Sequence, residues 1–407
     1  MKKILIFSLV YYPRFIGGAE VAVKEITDRI LPAEISFDMV TLRKSALKSE
    51  RLGNINVYRV GFGWQAGDNV FLSRFKIYKY LFPFFALFKA ILLHRKNRYD
   101  AVWSIMANYA GFGALFFKLF HPKIPFVLTL QEGDPISYIK RRVGIFYPLF
   151  KMIFTRADRI QTISNYLADW AKDMGANATA VTVIPNGVSV KNFQFSIFNF
   201  QRIFKYQCLN LEDARRKVRR QLGFSNEDVV LVTVSRLVEK NAIANLIESL
   251  QYLPRQVKLL IIGTGVLEGN LKLKVANLKL EERVHFAGFI AHEKLPTYLW
   301  ASDIFVRPSL SEGMGNSFIE AMASGLPVIA TQVGGIVDFL RDGETGLFCE
   351  VGNPKSIAQK IEKLIKDSES RQYIVENASG MVKDKYDWSL IAKRMKEEVF
   401  CNLFIPD

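Results

Sequence analysis

The chain has 407 residues, half of them hydrophobic and 23% charged, which suits two domains of roughly 200 residues and excludes a disordered chain. Lys and Arg number 55 against 39 Asp and Glu, a net charge of +16 that points to an anionic partner: a phosphate-bearing ligand, a nucleic acid or a membrane surface. Cys208, Cys349 and Cys401 are far apart, which excludes a disulfide scaffold and a zinc site and places the chain in a reducing cytoplasm.

Met1-Lys2-Lys3 precedes an apolar run, Ile4 to Val10, that reads as a first buried strand. The run could pass for a short signal peptide, but no small-residue cleavage site follows it, so a strand is the expectation. Gly17 and Gly18 come between this strand and a helical pattern, where a phosphate-approach loop belongs, although the full Gly-x-Gly-x-x-Gly spacing is absent and a simple turn fits equally. Phe37–Leu42 is a second strand pattern. The stretch Arg74 to Arg98 then carries Arg74, Lys76, Lys79, Lys89, Arg95, Lys96 and Arg98 without one acid. Its apolar core, Leu81 to Leu93, is too short for a bilayer, which takes about 20 residues. Phe84, Leu87, Phe88 and Ile91 recur there at helical spacing. That stripe fits a helix packed on the first sheet with a basic outer edge. It also fits an interfacial helix against anionic lipid, and the two readings are compatible.

Strand patterns continue at Ala101–Ser104, Phe126–Leu130 and Arg159–Ile163. Ile184-Pro185-Asn186-Gly187 is strong turn punctuation and marks a domain break. Val190 to Gly223 reads as a linker running into a solvated basic helix with Arg215-Arg216-Lys217 and Arg219-Arg220. The second half repeats the alternation, with strands at Val229–Ser235, Lys258–Ile262, Ile304–Arg307, Val328–Thr331 and Gly346–Cys349. Such alternation of apolar runs and helical patterns predicts doubly wound parallel α/β layers, whose ligands sit outside the carboxyl ends of the strands. Trp388, Ile391, Met395 and Val399 define an amphipathic last helix. His94, His121, His285 and His292 show no metal-ligand spacing, and no DNA- or RNA-binding motif accompanies the positive charge.

The segment Val306 to Thr331 is the most informative. A strand ends at Pro308, a loop holds Glu312, Gly313, Met314 and Gly315, and a helix starts near Asn316 or Ser317 and stops at Gly325 before Pro327. Glycines permit close backbone approach, and free amides at a helix start favour an anion. Glu320 and Ser317 share one face of the helix. Two carboxylates therefore flank an anion-binding nest, a combination suited to a ligand carrying both hydroxyls and phosphate.

The Glu-x7-Glu pair of Glu312 and Glu320 with its Gly-Met-Gly-Asn filling resembles the signature of the retaining GT-B glycosyltransferases of family four. The resemblance extends over most of the chain, through Gly17-Gly18-Ala19-Glu20, Ile184-Pro185-Asn186-Gly187-Val188 and Ser235-Arg236-Leu237-Val238-Glu239-Lys240-Asn241. It continues in Gly263-Thr264-Gly265, in Val284 to Phe289 and in Gly334-Gly335. It implies a GT-B fold of two Rossmann-like doubly wound domains facing a central cleft. The expected boundaries are residues 1–185 for the acceptor domain, 186–385 for the donor domain and 386–407 for a helix crossing back to the first. It implies transfer of a sugar from a nucleoside diphosphate sugar to a hydroxyl on a sugar or lipid-linked acceptor in cell-envelope synthesis. No metal and no cofactor are expected beyond that co-substrate. The expected location is the cytoplasm, with peripheral contact at the inner face of an anionic membrane.

Carried over by position, Glu320 holds the ribose hydroxyls and Glu312 the donor sugar. The amides of Gly313, Met314, Gly315, Asn316 and Ser317 hold sugar and phosphate, while Arg236 and Lys240 bind the diphosphate. Gly17 and Gly18 complete the donor contacts. Two departures stand out. Many members place a His after the strand Phe126–Leu130, where this chain has Gln131, a neutral amide that is no base near pH 7. Ser189 stands where an Asp often follows the Asn-Gly-Val turn. Gln131, Glu132 and Asp134 are expected as acceptor or sugar contacts, and Glu132-Gly133-Asp134 is the nearest imitation of a metal-binding Asp-x-Asp. The alternatives are a nucleotide-sugar epimerase of the same architecture and a non-catalytic sugar-nucleotide or lipid-binding protein.

Overall fold

The structure is a computed structural model that describes residues 1–13, 17–43, 47–61, 68–196 and 210–404, with side chains left out for residues 68–77. Cys208 and the side chains of Arg74 and Lys76 lie outside the described residues. The chain divides into two units, Met1–Asn186 with Trp388–Asp407, and Gly187–Asp387.

The first unit is built on β1 (Lys2–Phe7), β2 (Ile35–Leu42), β3 (Ser49–Leu52), β4 (Ile55–Val60), β5 (Ala101–Ile105), β6 (Phe126–Leu130), β7 (Arg159–Thr162) and β8 (Val181–Val183). They form one sheet in the order β3-β4-β2-β1-β5-β6-β7-β8, parallel except where β3 runs against β4. The second unit holds β9 (Val229–Val234), β10 (Val257–Ile262), β11 (Val284–Gly288), β12 (Ile304–Arg307), β13 (Val328–Thr331) and β14 (Leu347–Cys349). Its order is β11-β10-β9-β12-β13-β14, the doubly wound order in which the chain turns back at the first strand. Helices cover the faces of such sheets, so their central strands are buried on both sides and read as unbroken apolar runs. Ile4 to Phe7, Val230 to Val232 and Leu259 to Ile262 all have this character.

The first strand runs from Lys2 to Phe7, shifted from the expected Ile4 to Val10. Backbone pairing sets its limits: Lys2 lies opposite Ile35 and Phe7 opposite Val40, after which the chain leaves the sheet. The helix Leu211–Gln221 also departs from the solvated helix expected there. Arg219 is buried, pairs with Asp303 and donates from Nε to the Ala301 carbonyl at 2.8 Å. Ala214 and Val218 lie on that inward face and pack with Trp300 and Ala301 of the helix Leu295–Trp300 and its end.

The last helix, Trp388–Arg394, continues into a wider turn, Met395–Phe400. Trp388, Ile391, Met395, Val399 and Phe400 enter the core of the first unit, where the Phe400 ring meets Trp103 edge-on at 5.0 Å. Each buried large side chain of this kind stabilises by roughly 1.5–3 kcal/mol.

Candidate active site

In a doubly wound sheet the loops after the two strands flanking the reversal part to opposite faces and leave a crevice. In the second unit those strands are β9 and β12, and they deliver the residues singled out from the sequence. Ser235 to Asn241 follow β9, and Pro308 to Ser317 follow β12.

Arg307, the last residue of β12, ties the crevice together. It is 7% exposed and forms an ion pair with Glu312, which is 5% exposed. Its Nη1 donates to the Ser317 hydroxyl at 2.8 Å, its Nε to the Ser309 hydroxyl at 3.2 Å and its Nη2 to Asn241 Oδ1 at 3.4 Å. The guanidinium lies 5.0 Å from the centre of the Phe318 ring. Burial pushes its pKa down, the nearby Arg236 cation adds to the fall, and Glu320 opposes it. Arg236 and Glu320 are thus both within electrostatic reach of Arg307.

Neighbouring loops lock onto this core. Asn241 Nδ2 donates to the Arg236 carbonyl at 2.6 Å, and the Leu310 amide donates to the Lys240 carbonyl at 2.6 Å. Gly334 has φ +54°, and a Cβ there would stand 1.8 Å from the Glu312 carbonyl oxygen. Only glycine lets the loop after β13 come so close. Gly263 does the same after β10: φ is +132°, and a Cβ would meet the Ser235 carbonyl at 1.9 Å. Glu320, on the helix Asn316–Ala323, is 8% exposed, and its Oε1 lies 2.9 Å from His292 Nε2.

Glu312, Ser317 and Glu320 thus converge around Arg307, with Arg236 and Lys240 on the facing loop. Gly313 and Met314 are buried in the loop, while Gly315 and Asn316 are half-buried at the helix start, with Gly315 left-handed at φ +88°. The arrangement pairs carboxylates able to accept from hydroxyls with cations and a helix start that favours an anion such as phosphate.

Arg307, Asn241 and His292 were missed in the sequence reading. A charge ending an otherwise apolar strand was the available signal for Arg307. His292 carried none, because its partner lies 28 residues away.

The remaining predicted residues lie in the first unit. Gly17 precedes the helix Gly18–Asp28, and its amide donates to the Glu20 carboxylate at 2.8 Å. Gln131 exchanges two amide hydrogen bonds with Asn186, at 3.2 and 3.1 Å. Glu132 is buried and accepts from the Ala107 amide at 2.7 Å and the Gln131 amide at 2.9 Å, so it joins the loops after β5 and β6. Asp134 is half-buried in the same loop.

Burial lifts the Glu132 pKa from 4.5 to about 7, against the pull of its backbone amides and with a push from Asp134. Below pH 4.5 folded and unfolded chains both hold this proton. As the pH rises toward 7 the unfolded chain releases it first, so stability falls across that window by about 3 kcal/mol and levels off above it. Urea unfolding across this range should show the decline in the parent and its loss in Glu132→Gln. Parallel profiles would remove the role.

Two family models match the chain: Glycosyltransferase Family 4 over residues 16–192 and Glycosyl transferases group 1 over residues 214–381. The chain is 34% identical over 314 residues to the capsular polysaccharide biosynthesis glycosyltransferase CapM of Staphylococcus aureus, covering 71% of this chain and 80% of CapM. It is 26% identical over 412 residues to an uncharacterized glycosyltransferase of Methanocaldococcus jannaschii, covering 96% of each. Among solved structures, Anabaena HepE in complex with UDP and glucose matches with a TM-score of 0.77 at 21% identity, over 98% of this chain and 100% of that one. The fold is GT-B.

Proposed function

The chain belongs to the group 1 glycosyl transferases, and from that premise we propose that it moves a sugar from a nucleoside diphosphate sugar to a hydroxyl acceptor with retention of anomeric configuration. The observation that carries the reading is the cluster at the β9–β12 reversal, where Arg307 holds Glu312 and Ser317 beside Glu320 and Arg236. Two names add support. HepE was solved with UDP-glucose, and CapM takes its description from capsular polysaccharide biosynthesis. Synthesis of a cell-envelope polysaccharide or glycolipid is the corresponding role, at the inner face of the membrane.

In this reading Glu320, steadied by His292, accepts from the ribose hydroxyls, and Glu312 accepts from the donor sugar. Arg236 and Lys240 face the diphosphate. The bond from the anomeric carbon to the diphosphate oxygen breaks, and the acceptor oxygen bonds the same carbon on the same face. The acceptor proton passes to the departing diphosphate, so neither a protein base nor a metal is required. Negative charge grows on the leaving group as the bond breaks, and cations held there bind the transition state more tightly than the ground state. One charge-assisted hydrogen bond of this kind is worth about 1.5–3 kcal/mol. Two, if wholly expressed in the transition state, supply on the order of 10² to 10⁴ in rate.

A thermal-shift series with UDP, GDP, ADP and their sugars in EDTA tests the site. At 100 times the dissociation constant the correct nucleotide should stabilise by about 2.7 kcal/mol. The shift should disappear in Glu320→Ala and in Arg236→Ala. No shift with any nucleotide in a folded sample would sink the donor site. Donor consumption without any acceptor would favour an epimerase.

A further inference from the structure

Residues 69–157 contain fourteen Lys or Arg and three acids, Asp100, Glu132 and Asp134. Eleven of the sixteen net positive charges therefore fall in less than a quarter of the chain. Asp100 is paired with Lys2, Glu132 is buried, and Asp158, just past this stretch, pairs with Lys118, so beyond these pairs little acid offsets the charge at the surface.

Large apolar side chains stand exposed in the same region. The helix Asp68–Asn97 buries Phe82, Ala86, Ala90 and Leu93, which settles its packing against the first sheet. Its other face carries a second stripe: Leu81, Phe84, Phe88 and Leu92 are 40%, 60%, 68% and 45% exposed. Of the stripe read from the sequence, Phe84 and Phe88 point outward while Leu87 and Ile91 are half-buried. The outward stripe does not end with its helix. Phe84 stacks on Phe116 of the helix Ala110–Phe120, with ring centres 5.8 Å apart, and Phe120 of that helix is 67% exposed.

At the other end of the stripe, the Tyr80 ring meets Tyr109 at 5.5 Å, and Arg142 Nη2 donates to the Tyr109 hydroxyl at 2.5 Å. Arg142 belongs to the helix Ile136–Val143, where Lys140 and Arg141 are also exposed. The next turn holds Ile145, 88% exposed, and Phe146, 60% exposed.

We infer that this face of the first unit docks on an anionic lipid bilayer, with the Phe84–Phe88–Phe120 stripe and the Ile145-Phe146 turn entering the headgroup boundary and the surrounding cations meeting lipid phosphate. An anionic bilayer satisfies both features at once, since apolar side chains partition into its boundary and each basic residue is attracted to its surface. A nucleic acid would meet the cations but offer nothing to Leu81, Leu92 and Ile145. A protein partner would need its own acids opposite Lys140, Arg141 and Arg142 as well as an apolar face for the stripe. Among the described residues no helix is long and apolar enough to cross a membrane, so this contact lies on the surface. The Glu132 loop and Tyr109 follow the carboxyl ends of β6 and β5, and the docking face reaches Tyr109 through Tyr80. A lipid-carried acceptor would arrive there, and in this respect the inference rests on the transfer reading above.

Flotation of the full chain with phosphatidylcholine vesicles, with and without phosphatidylglycerol, tests it. The parent should float with the anionic vesicles and stay behind with the neutral ones. The variant F84S/F88S/F120S and the variant I145S/F146S should each lower the bound fraction on the order of tenfold. Lys140→Glu with Arg141→Glu should remove the preference for anionic lipid. All three sets are at exposed positions, and an unchanged melting temperature would show that the fold is intact. Equal flotation of parent and variants, or none with either vesicle, overturns the inference. A dimer in gel filtration that F84S/F88S/F120S abolishes, without flotation, would assign the face to a second copy and overturn it too. Vesicle binding needs no turnover. A chain that floats but binds no nucleotide sugar therefore overturns only the transfer reading, and one that binds donor but not vesicles overturns only the docking face.

Discussion

Arg307→Met should destabilise the second unit by about 3–5 kcal/mol, because it leaves the buried Glu312 carboxylate without its cation. In a domain of this size that corresponds to a fall in melting temperature on the order of 10 °C. Methionine fills much of the same space, so the loss reports charge and hydrogen bonds rather than a cavity. The side chains of Ser317, Ser309 and Asn241 lose a partner in the same step. Arg307→Lys should recover only part of the loss, since an ammonium keeps the charge but not the planar fork that reaches several acceptors. The double variant R307M/E312Q should be more stable than the two single losses add up to, because a buried pair removed together leaves no orphaned charge. Calorimetric melts of the parent, Arg307→Met, Arg307→Lys, Glu312→Gln and the double variant measure this. Additive losses, or a single Arg307→Met variant that melts with the parent, would remove Arg307 as the anchor of the site.

Glu312→Gln should reduce turnover on the order of 10²- to 10³-fold while UDP affinity stays within about threefold of the parent. Glutamine keeps the size and one acceptor oxygen but loses the negative charge facing the donor sugar. Glu320 and Arg236, assigned to the nucleotide, are untouched, so the defect should fall on kcat rather than on nucleotide binding. Steady-state rates with a competent acceptor, set beside UDP titrations of both proteins, separate the two. Undiminished turnover would end the catalytic reading of Glu312. Joint loss of turnover and UDP binding would recast it as a residue that shapes the nucleotide pocket.

The sequence by itself was enough for the two α/β halves and the loop-to-helix segment from Glu312 to Glu320. The reason is that each of these is local. A strand buried on both faces shows as a short apolar run, as in Phe126 to Leu130, whichever strands flank it. Gly313 to Ser317 sit at a helix start whose signals lie within a few residues. Shorter or half-exposed strands left no such trace. β3 alternates exposed and half-buried residues, β8 has three half-buried residues, and both belong to the sheet only through backbone pairing. The tertiary structure alone decided which charges meet. β9 and β12 are neighbours although some 70 residues separate them, and that pairing brings Asn241 to Arg307. The bond from His292 to Glu320 likewise depends on where the loop after β11 comes to rest. The helix Asp68–Asn97 makes the same point for the surface: its composition allowed an apolar stripe, but only packing decided that Phe82 and Ala86 face the sheet while Phe84 and Phe88 face outward. Periodicity states that a helix has an apolar side, and when apolar residues occupy two sides, the neighbour it packs against chooses between them.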